Sequence, residues 1–165
     1  MAKKKKKSLI KVSLEGLVLT VFGAMMLLLA LVPAVSFHSQ NIITGASATH
    51  QSFWGVLSSI FENGFSEGAS LALEICTLVY LIFGVVAVVL GVLNTLNIVN
   101  VEKISVLVYL LTFITLLVYM IVFLTNASSL QLGGLASAKT TTLVYIPLAV
   151  SALFTGYGAY KLLKK

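Results

Sequence analysis

Four long apolar stretches fill most of this 165-residue chain, and a run of five lysines, Lys3 to Lys7, precedes the first of them. A helix needs about 20 apolar residues to cross the hydrocarbon core of a bilayer. Hydrophobic residues make up 59% of the chain and charged residues only 10%, whereas soluble domains carry about 25% charged residues. We therefore predict an all-α integral membrane protein, with one four-transmembrane-helix bundle formed by residues 1–165.

The predicted spans cover residues 14–35, 69–93, 104–124 and 142–163. Pro33 is expected to end or kink the first span, and Pro147 lies near the start of the fourth. The alternative for the first span is a cleaved signal peptide, with Ala34 and Ser36 before the cut. Its apolar region is longer than the hydrophobic region of a signal sequence, which has about 7–15 residues, so an uncleaved anchor is favoured.

The lysines predict the orientation of the spans. With the N-terminus inside, ten of the eleven lysines face the cytoplasm and only Lys139 faces outward. Because cytoplasmic flanks of spans are enriched in basic residues, we predict a plasma-membrane protein with cytoplasmic N- and C-termini. The lysine-rich N-terminus is expected to attract anionic lipid. Nucleic acid is not an expected partner, since the lysines flank spans and form no basic face with interleaved aromatic residues.

A short amphipathic helix is predicted within the first extracytoplasmic loop, residues 36–68. Its apolar residues recur at helical spacing, with Ser52 as a cap before them and Asn63-Gly64 as a stop after them. Trp54 lies beside this face and suits a headgroup-level anchor. Three interpretations stay open: the helix lies on the outer leaflet, it caps the bundle as a partner surface, or it only packs the loop down. The residues concerned are Phe53, Trp54, Val56, Leu57, Ile60 and Phe61.

Glu74 is the candidate for a membrane-embedded polar site. A carboxylate inside a span is costly and by default indicates function, and Glu67 lies one heptad earlier, on the same helix face. If the second span begins only at Ile75, Glu74 is simply interfacial.

Small residues predict where the helices approach closely. Packing within the chain is favoured over a homo-oligomer interface. The third span lacks such a row of small residues, so it is expected to be peripheral or to face lipid more. The predicted packing residues are Gly84, Ala87 and Gly91 in the second span and Ala149, Ala152 and Gly156 in the fourth.

The chain contains no catalytic motif, and no cofactor or metal is expected. His38 and His50, with Glu62 and Glu67, lack ligand spacing, and Cys76 is the only cysteine. We expect a non-enzymatic scaffold, accessory subunit or interaction partner, with a protein partner or a homo-oligomer as its assembly. The alternatives are a small oligomeric channel or transporter that uses Glu74 and, third, a lipid-modifying enzyme.

Two broader questions stay open at the level of sequence. Thr77-Leu78-Val79-Tyr80 in the second span matches Thr142-Leu143-Val144-Tyr145 in the fourth. This match has two interpretations, a duplicated helical hairpin or chance similarity. The layout is similar to that of claudin-like proteins, but their paired loop cysteines are absent. No family is assigned from the sequence.

Overall fold

The computed structural model describes residues 13–41, 45–126 and 136–164, so the lysine run and Lys11 lie outside it. The described chain is largely helical. Three of its helices are long and apolar enough to cross a membrane, and a fourth apolar helix is shorter. The elements are α1 (Leu14–Leu29), β1 (Pro33–Asn41), β2 (Gly45–Ser52), α2 (Phe53–Asn63), α3 (Ala69–Thr95), α4 (Glu102–Asn126), β3 (Ala136–Thr140), a 3₁₀ turn (Thr142–Val144) and α5 (Tyr145–Leu163).

The three long helices, α3, α4 and α5, match the predicted second, third and fourth spans to within three residues at each end. The first predicted span is wrong at its C-terminal end. α1 stops at Leu29 after 16 residues, a rise of about 24 Å. Pro33 begins β1, because proline has no N–H to continue a helix and its fixed φ suits an extended strand. Pro147 is accommodated in the first turn of α5, where no intrahelical donor is lost.

A three-stranded antiparallel sheet, ordered β2-β1-β3, joins the two segments that were expected to be loops. β1 pairs with β2 from Pro33↔Ser52 to Asn41↔Gly45, and with β3 from Val35↔Thr140 to Ser39↔Ala136. Two hydrogen bonds from Thr141 link the end of β3 to the start of β1. Its backbone N–H donates to the Ala34 carbonyl at 3.0 Å, and its hydroxyl donates to the Pro33 carbonyl.

The helices pack side by side in the order α1, α3, α4, α5, and α5 also contacts α1. We call the end that carries α2 and the sheet the sheet end. The opposite end, the lysine end, carries Lys161 on α5 and Lys103 at the start of α4. The starts of α1 and α4 therefore lie at the lysine end, and the starts of α3 and α5 at the sheet end.

The expectation that the third span is peripheral is wrong. α4 lies between α3 and α5, and its aromatic and small polar residues face the core. The peripheral helix is α5, which buries only Pro147, Ser151 and Gly158. The buried residues of α4 are Ser105, Val108, Tyr109, Thr112, Leu116, Tyr119, Met120 and Phe123.

Candidate functional site at the sheet end

α2 is fixed at the sheet end by contacts with the C-terminus of α1. The Ser52 hydroxyl caps α2 by accepting from the Gly55 N–H at 3.1 Å. The Trp54 backbone N–H donates to the Ala30 carbonyl at 3.3 Å, and its indole N–H donates to the Leu27 carbonyl at 3.2 Å. A helix C-terminus leaves its last carbonyls without intrahelical donors, so these bonds complete α1 while they hold α2 in place.

Phe53 anchors α2 in an aromatic cluster at the sheet end of the core. It is fully buried, and its ring centroid lies 5.0 Å from that of Tyr80 on α3 and 5.1 Å from that of Tyr119 on α4. Tyr80 extends the cluster to α1 by donating its hydroxyl to the Met26 carbonyl at 2.6 Å. One side chain of α2 thus contacts two long helices.

The remaining predicted face of α2 is less buried than Phe53. Val56, Leu57 and Ile60 are half-buried, whereas Phe61 is 81% exposed. Phe65, in the connection to α3, is 55% exposed. α2 therefore docks through its N-terminal half and leaves two phenylalanine rings uncovered beyond it.

Glu74 lies near the start of α3 and is half-buried. Its carboxylate accepts two hydrogen bonds from Ser66 in the preceding connection, from the backbone N–H at 2.9 Å and from the hydroxyl at 2.5 Å. Glu67 is exposed and precedes α3, so the expected shared helix face of the two carboxylates is wrong. Sequence spacing gave no sign of Ser66, because the connection folds back onto the helix.

A cavity of about 190 Å³ opens beside Glu74, between α2, α3, α4 and the sheet. Its wall combines one carboxylate, hydroxyl and amide groups, and two aromatic rings. Tyr119 belongs to both the cavity and the aromatic cluster, so the cluster forms the floor. The lining residues are Val35, Gln51, Val56, Ser59, Ser66, Ser70, Leu73, Glu74, Tyr119 and Phe123.

Between this cluster and the lysine end, a second aromatic layer fills the bundle. The ring of Phe22 on α1 lies 4.7 Å from that of Tyr109 on α4 and 4.9 Å from that of Phe154 on α5. Tyr109 and Phe154 are 5.5 Å apart. Phe22 is fully buried, as are Leu19 and Met26 on either side of it along α1. Apolar side chains thus separate the cavity at the sheet end from the lysine end.

At the lysine end, the Lys161 ammonium group of α5 pairs with the Glu15 carboxylate of α1. These side chains are 33% and 28% exposed, respectively. The pair links the first and last helices of the bundle. The cavity next to the pair on the α4 and α5 side holds only about 20 Å³, and a more open cavity of about 360 Å³ lies on its other side, between Glu15 and the connection from α3 to α4.

The predicted packing residues divide between two environments. Gly84, Ala87 and Gly91 are buried where α3 meets α1. Ala149, Ala152 and Gly156 are exposed on α5, and no atom lies within 4 Å of the place where a Cβ on Gly156 would sit. Packing within the chain, which we expected for this face of α5, is therefore absent there.

The two loop histidines lie on paired strands, with His50 opposite Ser36 and His38 opposite Ala48. His50, Glu62 and Glu67 are all exposed, and the side chain of His38 lies outside the description. Within residues 13–41, 45–126 and 136–164, no three His, Cys, Asp or Glu side chains are grouped as metal ligands.

Comparisons of the chain with protein-family models, with curated protein sequences and with solved structures give no match.

Proposed function

We propose that this chain is a non-enzymatic integral membrane protein of the plasma membrane that acts as a scaffold, accessory subunit or interaction partner. The observation that carries the proposal is the combination of a filled bundle with a folded sheet end. Two aromatic layers occupy the bundle where a conducting pathway would run. The segments outside the long helices form a docked helix and a sheet rather than plain connections.

The proposed topology places four crossings in the membrane, with α1 as the fourth, and the sheet end outside the cell. α1 is shorter than α3, α4 and α5, but it runs beside α3 from Gly16 to Met26. The described lysines support the orientation: Lys103, Lys161 and Lys164 belong to the lysine end, and Lys139 belongs to β3 at the sheet end. The positive-inside rule then makes the lysine end cytoplasmic.

The sheet end is the proposed contact surface, and α2 is its amphipathic element. Phe61 and Phe65 are exposed, and they come directly after the half-buried residues through which α2 docks. Aromatic side chains are favoured at the centres of protein interfaces because they bury a large area at little cost in side-chain entropy. A protein partner that covers these rings would complete the burial that α2 begins.

Site-specific photocrosslinking in intact cells tests this proposal. A photoreactive phenylalanine at position 61 is expected to join the chain to one defined protein. The matched control is the same residue in place of Leu153, which is 73% exposed on α5 and faces lipid in the proposed topology. If both positions give the same lipid-only adducts, the interaction proposal is wrong.

The alternative function, a small oligomeric channel or transporter, is tested separately by ion flux in proteoliposomes. The filled core predicts flux no greater than that of protein-free vesicles. Flux that is present in the parent and lost in Glu74→Gln would replace the proposed function with the alternative.

A further inference from the structure

We propose that the cavity beside Glu74 binds an organic ammonium group, carried either by an amine- or choline-bearing lipid headgroup or by a small free amine. This inference goes beyond the proposed function, because it assigns a ligand to a site that partner binding does not require. It stands on the hydrogen bonding and charge of Glu74, on the composition of the cavity wall and on the location of the cavity.

Glu74 supplies a fixed negative charge. A carboxylate has about four acceptor positions, and Ser66 occupies two of them through its N–H and its hydroxyl. These two bonds hold the carboxylate in one orientation while acceptor positions remain for a ligand. Among the described side chains that line this cavity, Glu74 is the charged one, and no lysine is among them.

The rest of the wall suits an ammonium group better than a bare metal ion. Tyr119 and Phe123 line the cavity, and aromatic faces attract organic cations. Ser59, Ser70 and Gln51 add oxygen atoms that can accept N–H hydrogen bonds from a primary ammonium group, whereas the quaternary ammonium of choline has no N–H and is attracted by the carboxylate charge and the aromatic faces. Calcium needs about six to eight oxygen ligands, usually with several carboxylates, whereas the lining here includes one carboxylate. At about 190 Å³ the cavity is well above the roughly 10–15 Å³ needed to hold one water.

The location of the cavity brings it to the level of lipid headgroups in the proposed topology. It lies at the start of α3, beside the connection that exposes Phe65. Aromatic residues favour the boundary between headgroups and hydrocarbon. A headgroup ammonium is therefore available at this depth, and a small free amine can reach the same groups from the aqueous side.

Thermal unfolding in detergent tests the shared chemistry with choline chloride and ethanolamine hydrochloride as probes, each against sodium chloride at equal ionic strength. Both probes are expected to raise the unfolding midpoint of the parent, because a ligand that binds only the folded state stabilises it. Glu74→Gln, which removes the charge and keeps the shape, is expected to weaken the apparent affinity about tenfold or more. Glu67→Gln is the matched control: it removes an exposed carboxylate outside the cavity and is expected to respond like the parent.

The lipid source is distinguished by purifying the parent and Glu74→Gln from membranes and measuring the bound lipid. Retention of amine- or choline-bearing lipid over phosphatidylglycerol in the parent, lost in Glu74→Gln, identifies a headgroup. A midpoint shift with the free probes but equal lipid in both proteins identifies a free amine. The proposal is overturned if the parent shows neither a shift nor selective lipid, or if Glu74→Gln keeps both.

A second variant covers the case in which Glu74→Gln fails to fold. Phe123→Leu removes an aromatic face and keeps an apolar side chain, so it is expected to weaken choline binding while the protein stays monodisperse. Unchanged choline binding in this variant would also overturn the proposal. Failure of the crosslinking experiment at position 61 bears on partner binding alone and leaves these outcomes unaffected.

Discussion

Gly23 on α1 and Gly84 on α3 approach so closely that a Cβ built on Gly23 would lie 2.7 Å from the Gly84 carbonyl oxygen. Seven residues further along each helix, in opposite chain directions, Gly16 and Gly91 repeat the relationship, and a Cβ on Gly16 would lie 2.7 Å from the Gly91 carbonyl oxygen. Two antiparallel helices thus meet backbone to backbone at two levels. Since apolar side chains gain little by leaving lipid for another apolar surface, such close packing is what holds membrane helices together.

Adding a methyl group at this contact should therefore destabilise the protein. Gly23→Ala and Gly91→Ala are each expected to cost about 1–3 kcal/mol, the usual cost of overpacking, because the backbones must move apart. The measurement is thermal unfolding in mild detergent. Gly156→Ala is the matched control: its Cβ meets open space, and alanine exceeds glycine in helix propensity by about 1 kcal/mol. Equal midpoints for all three variants would contradict the interpretation.

The structure also separates two glycines that the sequence placed in the same class. Gly91 and Gly156 were both predicted to be packing residues. In the fold Gly91 is buried against α1, whereas Gly156 is exposed. Sequence spacing identified residues able to form a close contact. Which helix lies opposite each of them depends on the order α1, α3, α4, α5, and that order has no local signal.

A second paired prediction concerns two phenylalanines of α2. Phe53→Ala should cost about 3–5 kcal/mol, because it removes a fully buried ring between Tyr80 and Tyr119 and leaves a cavity. Phe61→Ala should change the stability of the isolated protein by no more than about 0.5 kcal/mol, since its ring is exposed. Unfolding in detergent measures both costs. A large loss for Phe61→Ala would show that α2 docks along its whole length.

The contrast between α2 and the sheet shows what the sequence could and could not reveal. α2 was predictable because its apolar residues recur at helical spacing between Ser52 and Gly64, and both ends were placed correctly to within a residue. The strands were not predictable. β2 and β3 are rich in Ala, Ser and Thr without a clear alternation of apolar and polar residues, and β3 pairs with a strand about 100 positions earlier in the chain. Glu74 could be singled out from the sequence because it is a charge in an apolar helix. Tyr119 and Ser66 could not, because only the folded chain brings them to the same cavity.

The ion pair at the lysine end should contribute little. Glu15→Gln and Lys161→Gln are each expected to cost less than about 1 kcal/mol, because both side chains are about one-third exposed and water screens their attraction. A double-mutant cycle, with unfolding measured at low and high salt, isolates the coupling between them. We expect a coupling that decreases with salt. A larger coupling that does not respond to salt would show that membrane or protein shields the pair from water.

The last prediction concerns orientation in the membrane and uses Glu67 and Lys164, which are exposed at opposite ends of the fold. Cys76 is half-buried and is first replaced by alanine, so that each introduced cysteine is the sole thiol. A membrane-impermeant maleimide added to intact cells should label Glu67→Cys and leave Lys164→Cys unlabelled. Permeabilised cells should show labelling at both positions, which controls for expression and accessibility. The expected result follows from the positive-inside rule, because the described lysines other than Lys139 belong to the end that carries Lys164. The reverse labelling pattern would place the sheet end and Glu74 in the cytoplasm, and labelling of both positions in intact cells would mean that the bundle does not separate its two ends across the membrane.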